Sequence, residues 1–171
     1  MYFRAECPQG LVERYEALTA FPQHYYVADL HFAVTANLLV RRPVLEALQG
    51  FDAVLQSGGD RDFGQRARAA GYRLIYDRTI VVDHPARTSM AELVGKTRRV
   101  VGGKMAMWQN GKIRFSTRDW FNFVVPPVVW TSRLLFDRDC PWRMSERLVV
   151  ILVRYVLHFA VLPVRLRVLL G

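Results

Sequence analysis

A chain of 171 residues, 51% of them hydrophobic, is long enough for one ordinary domain with a real core, and no segment has the low complexity typical of disorder. Its net charge of +9 is uneven, because residues 1–85 carry 9 Lys/Arg and 10 Asp/Glu whereas residues 86–171 carry 15 and 5. This asymmetry predicts an anionic partner for the second part. We expect no nucleic acid as that partner, since the basic part is unusually apolar and lacks a recognisable reader motif.

The cysteines and the N-terminus indicate the compartment. Cys7 and Cys140 are far apart in sequence and lack metal-ligand spacing, so we interpret them as reduced cytosolic thiols, with a single disulfide as the alternative. The first residues do not show the basic-then-apolar pattern of a signal peptide. Both observations favour the cytoplasmic side.

In chain order, the first part predicts helices that alternate with strands. Residues 10–20 are predicted as a helix, which Pro22 ends. An apolar strand at residues 31–40 and a short helix at residues 42–50 follow. The next helix begins at Asp60, and two further strands are predicted at residues 72–77 and 79–82. This alternation predicts an α/β fold.

After His84 the chain becomes basic and apolar. Residues 90–108 are predicted as a basic helix that is broken at Gly102 and Gly103. The uncharged run at residues 121–132 is too short to span a bilayer. No internal repeat is apparent in either part.

A pair of glycines stands before the helix that begins at Asp60. Residues 55–77 read LQSGGDRDFGQRARAAGYRLIYD, so Gly58 and Gly59 precede an acid in the first helical turn. Glycine lets a ligand approach the main chain closely, and a helix N-terminus favours a negative charge. A simple N-terminal cap is the structural alternative for Asp60, although it does not explain two glycines.

Several short motifs follow one another around this loop. They are TANLLVRR, GFDAVL, SGGD, AGYRLIYD and VDHPAR, with a helix on each side of the glycines. Their order resembles that of family-two glycosyltransferases over residues 12–103. The resemblance implies the second half of the A-type, nucleotide-sugar-binding α/β fold. Residues 1–115 would then be the C-terminal half of a catalytic domain, and residues 116–171 a basic, apolar, membrane-associating helical segment.

The resemblance implies a role for Asp60. In inverting members of the family, the Asp of this motif is the general base that takes the proton of the acceptor hydroxyl. A carboxylate can do this because the hydroxyl becomes more acidic as it attacks the anomeric carbon. Gly59 stands where the family usually has an acidic neighbour, a departure that leaves the base in place but alters its surroundings.

The resemblance also implies binding residues. It places Asn37, Gly58, Gly59 and Arg61 near the donor sugar or acceptor, and a satisfied structural amide is the alternative for Asn37. His84 matches a position where relatives use His on the metal or diphosphate, although a lone His is more often structural.

Two basic residues are further candidates. Lys96 and Arg99 are predicted to neutralise a diphosphate leaving group. A solvated helix face and a lipid-headgroup contact are the alternatives for both residues.

The family also implies parts that these residues do not supply. Its members use a divalent metal, Mn²⁺ or Mg²⁺, held by an Asp-x-Asp motif in a nucleotide-binding first half. Residues 60–62 and 137–139 are Asp-x-Asp strings, but the first opens a helix instead of following a strand. The second follows an apolar run but comes after the catalytic motif, which is the wrong order for this family. We therefore expect an incomplete enzyme that is inactive as the isolated chain. It would be part of a longer chain, the product of a split gene whose second chain carries the nucleotide-binding half, or a degenerate copy.

The complete enzyme would transfer a sugar from a nucleotide-diphosphate donor to a hydroxyl acceptor at the membrane surface. The alternative from a different class is a non-catalytic membrane-peripheral interaction module that retains a glycosyltransferase scaffold. Both hypotheses place the chain at a membrane, but only the first gives it a part in sugar transfer.

The C-terminal tail predicts membrane attachment. On a helix, five basic or titratable side chains project within about 60° of one another, and they are Arg143, Arg147, Arg154, His158 and Arg165. Most intervening residues are apolar, so we expect a helix in the membrane interface with this stripe among anionic headgroups. A core helix is the alternative, but the 5 acids of residues 86–171 can scarcely pair with buried arginines. The predicted location is therefore peripheral, on the cytoplasmic face of the membrane.

Overall fold

The structure is a computed structural model that describes residues 10–19, 21–117, 121, 125–138 and 140–170, with backbone alone at 168–170. Its α-helices are α1 (Leu11–Thr19), α2 (Gln23–Ala28), α3 (Arg42–Ala47), α4 (Gly59–Ala69), α5 (Met90–Gln109), α6 (Val128–Phe136) and α7 (Met144–Leu170). A single 3-10 turn covers Thr35–Asn37. Cys7 lies outside the described residues, and Cys140 is a free thiol.

The chain divides into two compact units. Among the described residues, the first unit comprises residues 21–85, and the second comprises residues 10–19 together with the chain from Ala86 onward. The assignment of residues 1–115 and 116–171 to catalytic and membrane-associating parts stays a prediction.

The predicted α/β fold is wrong. The described residues form helices joined by extended segments and turns, and they contain no β-strand or sheet. The run at residues 31–40, predicted as a buried strand, instead holds three consecutive buried residues, Phe32, Ala33 and Val34, followed by the 3-10 turn. The segments at 72–77 and 79–82 are likewise not strands.

Along residues 31–40, side chains make the backbone hydrogen bonds that a neighbouring strand would make in a sheet. The Gln23 side-chain oxygen accepts a hydrogen bond from the backbone N–H of Val34 at 3.1 Å, and its amide nitrogen donates to the carbonyl oxygen of Asn37 at 3.3 Å. Asn37 in turn donates from its side chain to the carbonyl oxygen of Ile80 at 3.2 Å. Buried backbone groups need partners, and here glutamine and asparagine supply them instead of a ladder.

Gly64 brings helix α4 against the same run. A Cβ atom at position 64 would lie 2.5 Å from the carbonyl oxygen of His31 and 2.7 Å from the Cα of Phe32. Any side chain at position 64 would therefore collide with main chain. The absence of a Cβ allows this approach and offsets the roughly 1 kcal/mol by which an interior glycine weakens a helix.

The second unit has a continuous apolar core. Helix α7 packs against α1, α5 and α6, and Val12, Leu93, Val153 and Leu157 form a buried cluster. Helix α5 begins with a capping box, in which Ser89 and Glu92 each bond the other's backbone N–H.

One predicted interruption of a helix is wrong. Helix α5 is continuous through Gly102 and Gly103, so the predicted break there does not occur. Helix α7 contains Pro163 and continues beyond it, so the proline does not end the helix. The predicted helix at residues 10–20 is confirmed as α1.

The basic stripe of α7 contacts protein. Arg147 and His158 are only 9% and 7% exposed, Arg154 lies over the ring of Trp130, and Arg165 contacts His158. The outward side of α7 carries exposed apolar residues, which are Met144, Leu148, Leu152, Val156, Phe159 and Leu166. We call this set the outward apolar row.

Candidate functional site

The N-terminus of α4 positions Asp60. Gly58 caps the helix with a φ of 87°, in the left-handed region that favours glycine. Asp60 is the second residue of the helix, and its Oδ1 accepts a hydrogen bond from the backbone N–H of Arg61 at 2.8 Å. The cap position is thus occupied by Gly58, while Asp60 binds a first-turn N–H from inside the helix.

The start of the GFDAVL motif contacts helix α4. The rings of Phe51 and Phe63 lie 4.6 Å apart between centroids. Arg66 pairs with Asp62 at 2.8 Å and also donates to the carbonyl oxygens of Leu48 and Gly50 after helix α3. These contacts fix the loop before α4, and they explain why a Gly-Phe pair precedes the glycine loop in sequence.

Asp60 has a perturbed carboxyl group. Its partial burial raises its pKa, and the opposing backbone hydrogen bonds from Arg61 and Asp60 itself are too weak to cancel this effect. A carboxylate with a raised pKa is a stronger base than an exposed one, and perturbed groups of this kind are concentrated at functional sites.

Asp60 lines a cavity of 1020 Å³ in the first unit. Asn37 lines the same cavity, so the structure brings these two predicted site residues together. Three arginines that the sequence did not single out also line it: Arg41, Arg68 and Arg73. The available signal was their position, because Arg41 is the next-to-last residue of TANLLVRR, Arg68 lies on α4 and Arg73 lies in AGYRLIYD.

Gly59 and Arg61 flank Asp60 without lining this cavity. A Cβ atom on Gly59 would have no heavy atom within 4 Å, so there is open space beside it. The Nε of Arg61 is buried and has no hydrogen-bond partner within the described part of the chain. A buried donor without a partner is costly.

The surroundings of His84 do not form a site for Mn²⁺ or Mg²⁺ among the described residues. The His84 ring packs against Phe21, and its Nδ1 lies 2.9 Å from the carbonyl oxygen of Pro85. These cations need several oxygen ligands, and no group of three or more potential ligands is found in the described residues. The metal role of His84 stays a prediction.

Lys96 and Arg99 lie on α5 in the second unit. Lys96 Nζ lies 2.7 Å from the Oε1 of Glu16, whereas Arg99 is exposed. Burial tends to raise the pKa of Glu16, but hydrogen bonds and charges from Lys96 and Arg87 outweigh it and hold that pKa below its ordinary value. Lys96 therefore has an internal partner, and its diphosphate role stays a prediction.

One known protein is similar to this chain over part of its length. Across 101 residues, or 59% of the chain, the sequence is 36% identical to glycosyltransferase AglE of Haloferax volcanii. This chain is related to a glycosyltransferase. The matched region is 33% of that relative, so the chain spans about a third of its length. No protein-family model and no solved structure matches the chain.

Proposed function

We propose that this chain is part of an inverting, family-two glycosyltransferase, which transfers a sugar from a nucleotide-diphosphate donor to a hydroxyl acceptor. The observation that carries the proposal is Asp60, a carboxylate with a raised pKa on the wall of a large cavity. The similarity to a glycosyltransferase supports the same reaction class.

Asp60 acts as the general base. The acceptor oxygen forms a bond to the anomeric carbon while the bond from that carbon to the diphosphate breaks, and the hydroxyl proton passes to Asp60. Its raised pKa improves proton acceptance, because a carboxylate with a higher pKa is a stronger base. The open space beside Gly59 leaves room for a substrate at this helix end.

The cavity arginines neutralise the leaving diphosphate. Guanidinium groups bind phosphate oxygens through paired N–H donors, and Arg41, Arg68 and Arg73 line the same cavity as Asp60. They are better supported in this role than Lys96, which is paired with Glu16.

We propose that the rest of the donor site lies in polypeptide beyond these residues. The chain spans about a third of its relative, which leaves ample length for a nucleotide-binding part with its Mn²⁺ or Mg²⁺ in the same chain or in a second one. This part would bind the nucleotide and present the sugar to Asp60.

We propose attachment to the cytoplasmic face of a membrane through α7. Residues Met144–Arg167 are long and apolar enough to span a bilayer, with a mean hydropathy of 1.9. Because Arg154 in the middle of that segment would be costly in hydrocarbon, a peripheral position is favoured. The outward apolar row would enter the acyl region, and the excess of basic residues would attract anionic lipids.

The reaction is tested with Asp60→Asn in an assembly that includes the donor-binding part. Asn keeps the shape and can accept the Arg61 N–H, but it cannot take a proton, so we expect transfer to be abolished with the fold intact. Asp29→Asn is the matched control, because Asp29 is exposed in the same unit and does not line the cavity. Near-normal transfer by Asp60→Asn would remove Asp60 as the base.

A further inference from the structure

The second unit contains a separate cavity of 800 Å³ that is rich in arginine. Arg133 from α6 and Arg154 and Arg165 from α7 line it, and the described lining residues include no Asp or Glu. Three like charges facing one space repel each other unless an anion compensates them. The positive charge of the cavity therefore favours binding of a negatively charged ligand.

Arg154 is held in place without using its hydrogen-bond donors. Its guanidinium carbon lies 4.0 Å from the centroid of the Trp130 ring, a cation–π contact. Its side chain is partly buried and makes no hydrogen bond or ion pair with the described residues, and burial lowers its pKa. An ordered, partly desolvated guanidinium can bind an anion with little further loss of side-chain entropy.

Arg165 is ordered by a second contact in the same cavity. Its Nη1 lies 3.1 Å from the Nδ1 of His158, which is buried. Since the guanidinium is always a donor, Nδ1 must be the unprotonated acceptor. Tyr15 also lines the cavity, and its hydroxyl adds a neutral donor for a phosphate oxygen, whereas the Thr97 hydroxyl donates to the carbonyl oxygen of Leu93.

The remainder of the cavity wall is apolar. Val125, Leu157 and Val161 line it, together with Phe121 and Val129, which are 55% and 56% exposed. Exposed apolar side chains on a cavity that also holds three arginines match a ligand with an anionic head and an apolar chain.

We propose that this cavity binds the phosphate group of an anionic amphiphile, with the phosphate between Arg154 and Arg165 and the apolar chain along Phe121 and Val129. A phosphate monoester carries up to two negative charges and offers several acceptor oxygens, so it suits several guanidiniums better than a carboxylate does. This site goes beyond the proposed sugar transfer and does not depend on it.

The test is calorimetric titration of the 171-residue chain with dioctanoyl phosphatidic acid below its micelle concentration. We expect saturable binding to one site, with dioctanoyl phosphatidylcholine at least about tenfold weaker, because a hydrogen-bonded charge commonly contributes a factor of ten or more. Inorganic phosphate is titrated in competition. Weak competition by phosphate assigns the site to a lipid headgroup, whereas phosphate as tight as the lipid would overturn the apolar part of the proposal.

Matched arginine variants separate the cavity from general surface charge. Arg133 and Arg143 are both exposed and neither makes a side-chain hydrogen bond among the described residues, but only Arg133 lines the cavity. We expect Arg133→Gln to weaken phosphatidic acid binding severalfold and Arg154→Gln about tenfold, with Arg143→Gln changing it less than about twofold. Equal losses at positions 133 and 143, or no binding by the unmodified chain, would overturn the site.

Discussion

Glu16 and Lys96 form a buried ion pair that joins α1 to α5, with 2.7 Å between Oε1 and Nζ. Arg87 adds its backbone N–H at 2.8 Å and its Nη1 at 3.0 Å to the same carboxylate. Glu16 is only 1% exposed, so each of these donors replaces a water that the carboxylate lost on folding. The second unit therefore depends on a charged centre within an otherwise apolar contact.

Removing this charge is expected to destabilise the fold. Glu16→Gln removes the carboxylate that pairs with Lys96 and Arg87, and breaking a buried pair in this way typically costs about 3 kcal/mol. Glu46→Gln is the control, because Glu46 pairs with Arg42 on an exposed surface, and such pairs contribute less than about 1 kcal/mol. Urea denaturation of both variants measures the difference, and equal losses would contradict a structural role for Glu16.

Acid is expected to weaken the same contact. The folded-state pKa of Glu16 is lowered, so the folded chain binds this proton less readily than the unfolded chain does. The stabilisation is present above the ordinary glutamate pKa of about 4.3 and is lost as the pH falls through the lower folded value. The difference in Tm between the unmodified chain and Glu16→Gln should shrink from pH 7 to pH 3. A constant difference would argue against the charge as its cause.

The ionised form of Asp60 is expected to lower the free energy of unfolding, because partial burial disfavours its charge. Its folded-state pKa is raised, so stability falls as the pH rises from the ordinary aspartate pKa through the folded value, and the cost is fully present above that folded value. Asp60→Asn should therefore raise the Tm at pH 7 and change it less at pH 3. Asp62→Asn should lower the Tm, because Asp62 is buried and paired with Arg66. A lower Tm for Asp60→Asn would instead identify Asp60 as a stabilising helix-terminal residue.

Two glycines of α4 are expected to respond in opposite ways to alanine. Gly64→Ala places a Cβ against the backbone of His31 and Phe32, and such overpacking costs about 1–3 kcal/mol. Gly59→Ala meets open space and should leave stability unchanged, while lowering transfer activity if the acceptor lies beside it. Thermal melting and sugar-transfer assays of both variants test this. Tolerance of Gly64→Ala would show that the contact can relax.

Arg147 is expected to be structural. It donates to the carbonyl oxygens of Leu134, Leu135 and Asp137 at the end of α6, and to those of Trp142 and Cys140. Arg147→Met should destabilise the chain by about 3 kcal/mol, because buried acceptors lose a charged donor, whereas Arg143→Met should be nearly neutral. Similar melting temperatures for the two variants would contradict this role.

The helices were predictable from sequence where local signals were complete. Helix α1 follows from its apolar spacing, and α4 from the Gly-Gly-Asp start and the closing Gly71, which has a φ of 83°. The strands failed because an apolar run of ten residues has no periodicity that separates a strand from a buried extended segment. What decided the outcome was Gln23, a side chain eleven residues before Val34, and no local pattern indicates such a bond.

The sequence predicted two residues of the candidate site but not the arginines that line the same cavity. Asp60 and Asn37 followed from motifs, and they do line one cavity. Arg41, Arg68 and Arg73 come together through folding alone, so their spacing in sequence gives no sign of a shared cavity. The burial of arginines on α7 was not predictable from the number of acidic residues. Carbonyl oxygens and an aromatic ring also serve as partners for these cations.

The inverted polarity of α7 has a practical consequence for protein engineering. Arg147, Arg154 and Arg165 face other protein groups while the outward apolar row faces solvent, so the usual rule that surface helices are polar outside selects the wrong positions for redesign. Glutamate or lysine at Leu148 and Leu152, which are 55% and 56% exposed, would reduce an apolar surface of the kind that favours self-association. Phe159 is less suitable, because its ring packs against the buried His158. We expect a chain redesigned at the two leucines to self-associate less than the unmodified chain.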